Sequence, residues 1–236
     1  MKAKTILVTG ATDGIGRETA RQLLALDHRV LVHGRSRDKA QRSALQLAKT
    51  SGPAAALPVW GDLSLMREVV ELARQVRSQC QSLDVLINNA GVLENKRRLS
   101  ADGFEMTMAV NHYAPFLLTR LLLDLVQAAP AGRIVTVSSM VHASGSLDLD
   151  DLNFARASRG YSGHDAYSAS KLANVLFTAE LARRLAGTRV TANCLHPGVI
   201  DTKLLHAGFA IKGNSVEEGA RTSVFLATSE AVAEVT

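Results

Sequence analysis

Cysteine is nearly absent: Cys80 and Cys194 are the only two in 236 residues. That excludes a small secreted scaffold stapled by disulfides. Aromatic residues are equally sparse, with one Trp, three Tyr and six Phe, too few for an obvious base-stacking platform. Long apolar runs are lacking as well. The longest, Phe116 to Val126, is broken by Arg120 and Asp124, whereas a spanning helix needs ~18 or more apolar residues. Met1-Lys2-Ala3-Lys4 leads into just Thr5-Ile6-Leu7-Val8 before Thr9-Gly10, which is too short for the apolar stretch of a signal peptide. No repeat, low-complexity tract or Pro/Gly/Ser linker divides the chain. The expectation is a cytoplasmic protein without a membrane anchor, built as one domain over residues 1–236.

What is present is a hydrophobic content of 47%, with 21% charged residues. The chain can therefore bury a sizeable core, and disorder is excluded. The net charge of +5 suits an anionic small ligand as well as it suits a nucleic acid. The basic residues are scattered, with Lys96-Arg97-Arg98 the densest cluster, which argues against nucleic acid.

Short apolar runs alternate with longer amphipathic ones. Thr5–Thr9, Arg29–His33, Ala55–Trp60, Val85–Asn88, Ile134–Ser138 and Val190–Leu195 read as strands. They lack strict polar alternation, as in a parallel sheet covered on both faces. Ile15–Leu26, Arg37–Lys49, Leu65–Gln79, Glu105–Ala128, Asp165–Leu185 and Val216–Ser229 read as helices, with Ser36 and Ser64 at N-cap positions and Ser215/Glu218 as a capping box. The alternation predicts an α/β fold, a doubly wound parallel sheet with helices on both faces.

Thr9-Gly10-Ala11-Thr12-Asp13-Gly14-Ile15-Gly16 joins the first strand to the first helix. Gly10 permits a tight turn, Gly14 a close approach to a pyrophosphate, and Gly16 close packing of helix on strand. The helix N-terminus offers N–H groups to phosphate. After the second strand the chain reads His33-Gly34-Arg35-Ser36-Arg37, with no acid before Asp38. A carboxylate there suits NAD and a cation suits NADP, so Arg35 points to NADP, with NAD as the alternative. Arg17 is a candidate helper, and Arg37 reads as a solvated surface charge. Tyr167 and Lys171 share one helix face about 5–6 Å apart at Cβ, where an ammonium would favour the phenolate.

These motifs occur in one order with Asn88-Asn89-Ala90-Gly91, Asn111, Ser138-Ser139 and Pro197-Gly198-x-x-x-Thr202. Together they resemble the short-chain dehydrogenase/reductase family over essentially the whole chain. Ser168 to Thr178, Leu195-His196-Pro197-Gly198-Val199 and Val110-Asn111-His112 resemble its retinol dehydrogenase-like and WW-domain oxidoreductase-like branch. The resemblance implies a Rossmann-like fold and a catalytic tetrad of Asn111, Ser139, Tyr167 and Lys171. Tyr167 would exchange the proton, Ser139 hold the substrate oxygen, Lys171 hold the nicotinamide ribose, and Asn111 place a water. Ser138 competes with Ser139, because neighbouring strand residues face opposite ways; the family pattern favours Ser139. Cofactor contacts are expected at Gly10, Thr12, Asp13, Gly14, Ile15, Arg35, Asp62, Leu63, Asn88, Ala90, Tyr167, Lys171, Val199 and Thr202. No metal-ligand spacing is present among the seven histidines.

Three features depart from the family pattern. Pro115 in Tyr113-Ala114-Pro115 threatens a helix kink near Asn111. Asp13 stands where many NADP-preferring relatives carry a basic residue. Glu230 to Thr236 stands where the family pattern leads one to expect a seventh strand and tail, as in either a shortened chain or a sequence with a segment omitted. The leading expectation is an NADP(H)-dependent oxidoreductase interconverting a carbonyl and an alcohol. Its pocket would be drawn from Leu93, Val141, Val199, Leu204, Leu205 and Phe209, for a lipophilic small molecule. The alternative is a non-catalytic nucleotide-sensing or scaffold protein on the same fold. Homo-oligomerisation is left open.

Overall fold

The computed structural model describes residues 3–51, 55–156, 160–209 and 211–236; Met1 and Lys2 lie outside them. Its sheet has six strands: β1 (Thr5–Val8), β2 (Arg29–Gly34), β3 (Ala56–Trp60), β4 (Val85–Asn88), β5 (Arg133–Val137) and β6 (Thr191–Leu195). They lie in the order β3-β2-β1-β4-β5-β6, and every pairing is parallel. Within the buried runs successive residues serve opposite faces. Ile6 and Val8 pack with the apolar residues of α1 (Gly14–Ala25), α2 (Arg37–Ser51) and α8 (Val216–Thr228). Leu7 packs with those of α3 (Met66–Gln79), α5 (Ala114–Gln127) and α6 (Gly163–Leu185). The expected doubly wound sheet is therefore present, with β1 and β4 meeting where the strand order reverses, the usual seat of a ligand in such sheets.

Several local expectations need correction. Ser64 does not cap α3. Its N–H is drawn to Asp62 Oδ1 at 2.9 Å, and the Met66 N–H at the head of the helix instead donates to Asp102 Oδ2 at 2.7 Å. The expected long helix over 105–128 is interrupted. A turn, α4 (Met106–Met108), runs into a π-helical segment, Ala109–Tyr113, before α5. Pro115 explains part of this. It has no N–H to offer the Asn111 carbonyl four residues back, and that carbonyl accepts from Asn174 Nδ2 on α6 at 2.9 Å. Ser215 caps α8 as expected, accepting from the Glu218 N–H at 3.3 Å. A short helix, α7 (Lys203–Gly208), was not foreseen.

Candidate active site

The carboxyl ends of all six strands open into one cleft of about 1410 Å³. At its floor the loop after β1 turns through Gly10 and Gly14, with φ of 67° and 51°, values that side chains rarely tolerate. Gly16 is demanded by contact: a Cβ there would collide with Asn89 Nδ2 and the Gly10 carbonyl oxygen. Asp13 caps α1 by accepting from the Gly14 N–H at 2.9 Å. Thr9 Oγ1 accepts from the N–H groups of Asn89 and Ala90 at 2.9 and 3.0 Å, and Asn89 Nδ2 donates to the Thr9 carbonyl at 2.8 Å. The loops after β1 and β4 are thus locked together beneath a helix N-terminus. The positive-φ turn, the close backbone approach and the open helix end fit a dinucleotide's phosphates.

Gly10, Thr12, Asp13, Gly14, Ile15, Arg35, Asp62, Leu63, Ala90, Val199 and Thr202 all border this cleft. Asn88 does not. Its side chain is buried in the opposite direction, with Nδ2 donating to Thr119 Oγ1 at 3.1 Å. The next residue, Asn89, makes the loop contacts. Strand alternation was the signal that separates the two neighbours. Arg37 lies over the Trp60 ring at 5.3 Å from its centroid, as the surface-charge reading implied. Lys39, not singled out from the sequence, joins the exposed Arg35 at the cleft rim.

The other end of the cleft carries the expected catalytic residues. Tyr167 and Lys171 rise from α6, with the Lys171 ammonium 5.4 Å from the Tyr167 ring centroid. Ser139 hydrogen-bonds the Tyr167 hydroxyl. Ser138 turns away and donates to the Lys171 carbonyl at 2.8 Å, bracing the helix. Lys171 Nζ donates to the Val137 carbonyl at 2.9 Å. Asn111 does not border the cleft. Its Oδ1 accepts from the Val92 N–H at 2.8 Å, while Nδ2 donates to the Val92 carbonyl at 2.9 Å and to Ser170 Oγ at 3.0 Å. Two of these bonds hold the strand-end loop and the third reaches α6, so Asn111 links the two. Asn111 Oδ1 and Lys171 Nζ nevertheless converge on Gly91, at 3.5 and 3.6 Å from where a Cβ would stand.

The electrostatics correct one expectation. Burial pushes the Tyr167 phenol up to about 12 despite the bond to Ser139, and burial brings Lys171 down to about 8. Desolvation is the dominant cause at both groups. The cofactor-free protein therefore holds Tyr167 as a phenol throughout the neutral range. Leu93, Val141, Val199, Leu204, Leu205 and Phe209 line this end, as foreseen from the sequence, joined by Met140 and Ile211. The Phe209 ring meets the Tyr167 ring edge-on at 6.4 Å. Asp13, on the glycine loop, forms an ion pair with Lys203 at the start of α7. That pair spans the cleft mouth and holds the Asp13 carboxyl below its usual range.

The family model described as short chain dehydrogenase matches residues 4–148 and 155–212. The chain belongs to the short-chain dehydrogenase family. Within it, the branch is that of the retinol dehydrogenases. Human retinol dehydrogenase 14 is 43% identical over 258 aligned residues, spanning 98% of this chain and 76% of the relative. Human retinol dehydrogenase 13 is 38% identical over 98% of this chain and 74% of its own. An uncharacterised protein of Mycobacterium paratuberculosis superposes with a TM-score of 0.79 at 36% identity, covering 96% of this chain and 77% of that one. A short chain dehydrogenase of Escherichia coli CFT073, complexed with NADPH, superposes with a TM-score of 0.78 at 27% identity, covering 97% and 92%. Membership makes this short-chain dehydrogenase an NAD(P)-dependent oxidoreductase acting on CH–OH groups, and the scaffold alternative falls. Among the described residues, no helix is long and apolar enough to cross a membrane, and no cluster of His, Cys, Asp or Glu could hold a metal ion.

Proposed function

We propose that the chain reduces lipophilic aldehydes or ketones to alcohols with NADPH as the preferred donor. The observation that carries this reading is a buried Tyr167 facing an apolar cleft wall, with Arg35 and Lys39 at the cleft's other end. The nicotinamide cofactor supplies the hydride when bound. Tyr167 donates its proton to the carbonyl oxygen, a task for which a phenol is already in the correct state. Ser139 donates a second hydrogen bond to the same oxygen and steadies the charge that develops there. Lys171, anchored on the Val137 carbonyl, reaches the nicotinamide ribose and provides positive charge beside Tyr167. Asn111 acts by position, fixing Val92 and, through Ser170, the helix that carries both catalytic side chains.

The N–H groups of the glycine loop receive the phosphates. Asp62 and Leu63, after β3, and Ala90, after β4, flank the adenosine half. Val199 and Thr202 flank the carboxamide. The Thr202 hydroxyl oxygen accepts from the Leu205 N–H at 3.3 Å and keeps its own proton for donation. Arg35 presents a planar fork to a 2′-phosphate. NADPH and NADH oxidation should be followed against a panel of aldehydes, ketones and quinones of graded length. The expected result is turnover of long-chain carbonyls with NADPH favoured. Turnover confined to short polar substrates, or with NADH alone, would overturn the reading.

A further inference from the structure

We propose that His33 is a positioning residue for the adenosine half of the cofactor, acting as a rivet between the loops that end β1 and β3. The inference rests on the reading of the cleft's polar end as the adenosine seat. Three bonds carry it. The Gly10 N–H donates to His33 Nδ1 at 3.0 Å, His33 Nε2 lies 3.0 Å from the Gly61 carbonyl oxygen, and the Ala11 N–H donates to the His33 carbonyl at 2.9 Å.

The two ring contacts fix the chemistry of the imidazole. A backbone N–H can only donate and a backbone carbonyl can only accept. The ring is therefore neutral, with its hydrogen on Nε2, because an imidazolium would turn an N–H toward the Gly10 N–H. His33 is buried and borders the cleft, and burial brings it down to about 4, so this form persists at physiological pH.

Its place in the sheet explains why such a rivet matters. The β1–β2 ladder ends at Val8 opposite Val32, and the β2–β3 ladder ends at Gly34 opposite Trp60. Beyond those pairs the chain leaves the sheet to form the turns at Gly10 and Asp62. The His33 ring carries hydrogen bonding past the last rungs, to both sides at once. Gly34 interlocks the same region, since a Cβ there would meet Thr12 Cγ2 at 2.7 Å. Arg35 follows directly, so the register of the rivet also sets where that guanidinium begins.

Because the rivet is at the end opposite Tyr167, its loss should weaken cofactor binding and spare the chemical step. Two variants separate this from general damage. His33→Leu removes both ring contacts, and His33→Asn keeps an acceptor near the Nδ1 position that faces Gly10. Calorimetry with 2′,5′-ADP, the isolated adenosine fragment, reads the site without turnover. His33→Leu should raise the Kd of 2′,5′-ADP and of NADPH by about tenfold or more, because buried backbone groups lose their partners. His33→Asn should raise both by less, roughly threefold for one lost neutral hydrogen bond. In both variants kcat at saturating NADPH should stay within about twofold, since no catalytic contact changes. A wild-type Kd for 2′,5′-ADP in His33→Asn overturns the inference, whether or not the leucine variant folds. So does a kcat that falls in step with affinity. A wild-type protein that binds neither NADPH nor 2′,5′-ADP fails differently, because it removes the cofactor reading itself.

Discussion

The two ends of the cleft are built by opposite means. At the β1–β2–β3 end, the shape comes from backbone: glycines with positive φ, a helix N-terminus, and loops tied by Thr9, Asn89 and His33. At the β4–β5–β6 end, the chemistry comes from side chains on one long helix and one strand end, Tyr167, Lys171 and Ser139, beside an apolar wall. On the proposed reading, the first end recognises a ligand that hardly changes during reaction, so preorganised backbone serves it well. The second must hold groups whose protonation matters, so burial there shifts both Tyr167 and Lys171.

Substitutions at each end should therefore produce separable defects. The largest effect is expected for Tyr167→Phe, which removes only the proton donor. Turnover should fall by roughly 10²–10⁴-fold, while the Kd for NADPH moves by no more than a few-fold. A mutant that turns over near the wild-type rate would break the contrast. Arg35→Asp tests the other end, where the proposed charge-assisted contact to a 2′-phosphate would contribute about 1.5–3 kcal/mol. The NADPH-to-NADH preference should shift by roughly 10–150-fold, with kcat barely altered. Dissociation constants for both cofactors decide it, and an unaltered ratio returns Arg35 to the solvated surface.

Stability offers a second way to sharpen the comparison. Lys171 has a folded pKa near 8 against an ordinary 10.5, so its burial costs on the order of 3 kcal/mol while the group is charged. That cost is fully present below pH 8 and is relieved as pH rises toward 10.5. Lys171→Met should abolish activity while the Tm of the cofactor-free protein at pH 7 holds or rises; a clear fall would refute it. His33 gives the mirror case on the acid side. Its pKa is near 4 folded and 6.5 ordinarily, with burial the main cause and the Gly61 carbonyl and then the Asp62 charge opposing it. The unfolded chain takes up the proton first, so stability should drop by about 3 kcal/mol as pH falls from 6.5 to 4. His33→Asn should lack this part of the slope in denaturant titrations. The smallest effect concerns the apolar wall, where each added methylene on a straight-chain aldehyde should raise kcat/KM by up to about fourfold. Phe209→Ser should flatten that series.

The sheet and most of its helices were legible because buried parallel strands and amphipathic helices write their periods into the chain. Tyr167, Lys171 and the glycine loop were legible for a similar reason, since each is defined by local spacing. What escaped depends on distant partners. The break in the helix after Glu105 needed Asn174 to take up the carbonyl that Pro115 leaves unbonded, and no spacing rule joins residues 63 positions apart. Asp102 at the head of α3 and Lys203 opposite Asp13 are likewise meetings of remote segments. Asn88 was misassigned between two identical neighbours, where only the facing of the strand distinguishes them. The state of Tyr167 was misjudged because the spacing reports the nearby charge and not the burial.

The buried Lys171 has an evolutionary side. A population of such sequences under selection for folding alone would drift toward an uncharged side chain at this position, because nearly every apolar replacement relieves the fold. A buried charge kept at a cost to the fold fits a position whose use is chemical and not structural. Loss of that use would erase Lys171 before it erased the glycine turns, whose replacement strains the backbone itself. A descendant released from catalysis would be recognisable by an intact nucleotide cradle beside a silenced helix face.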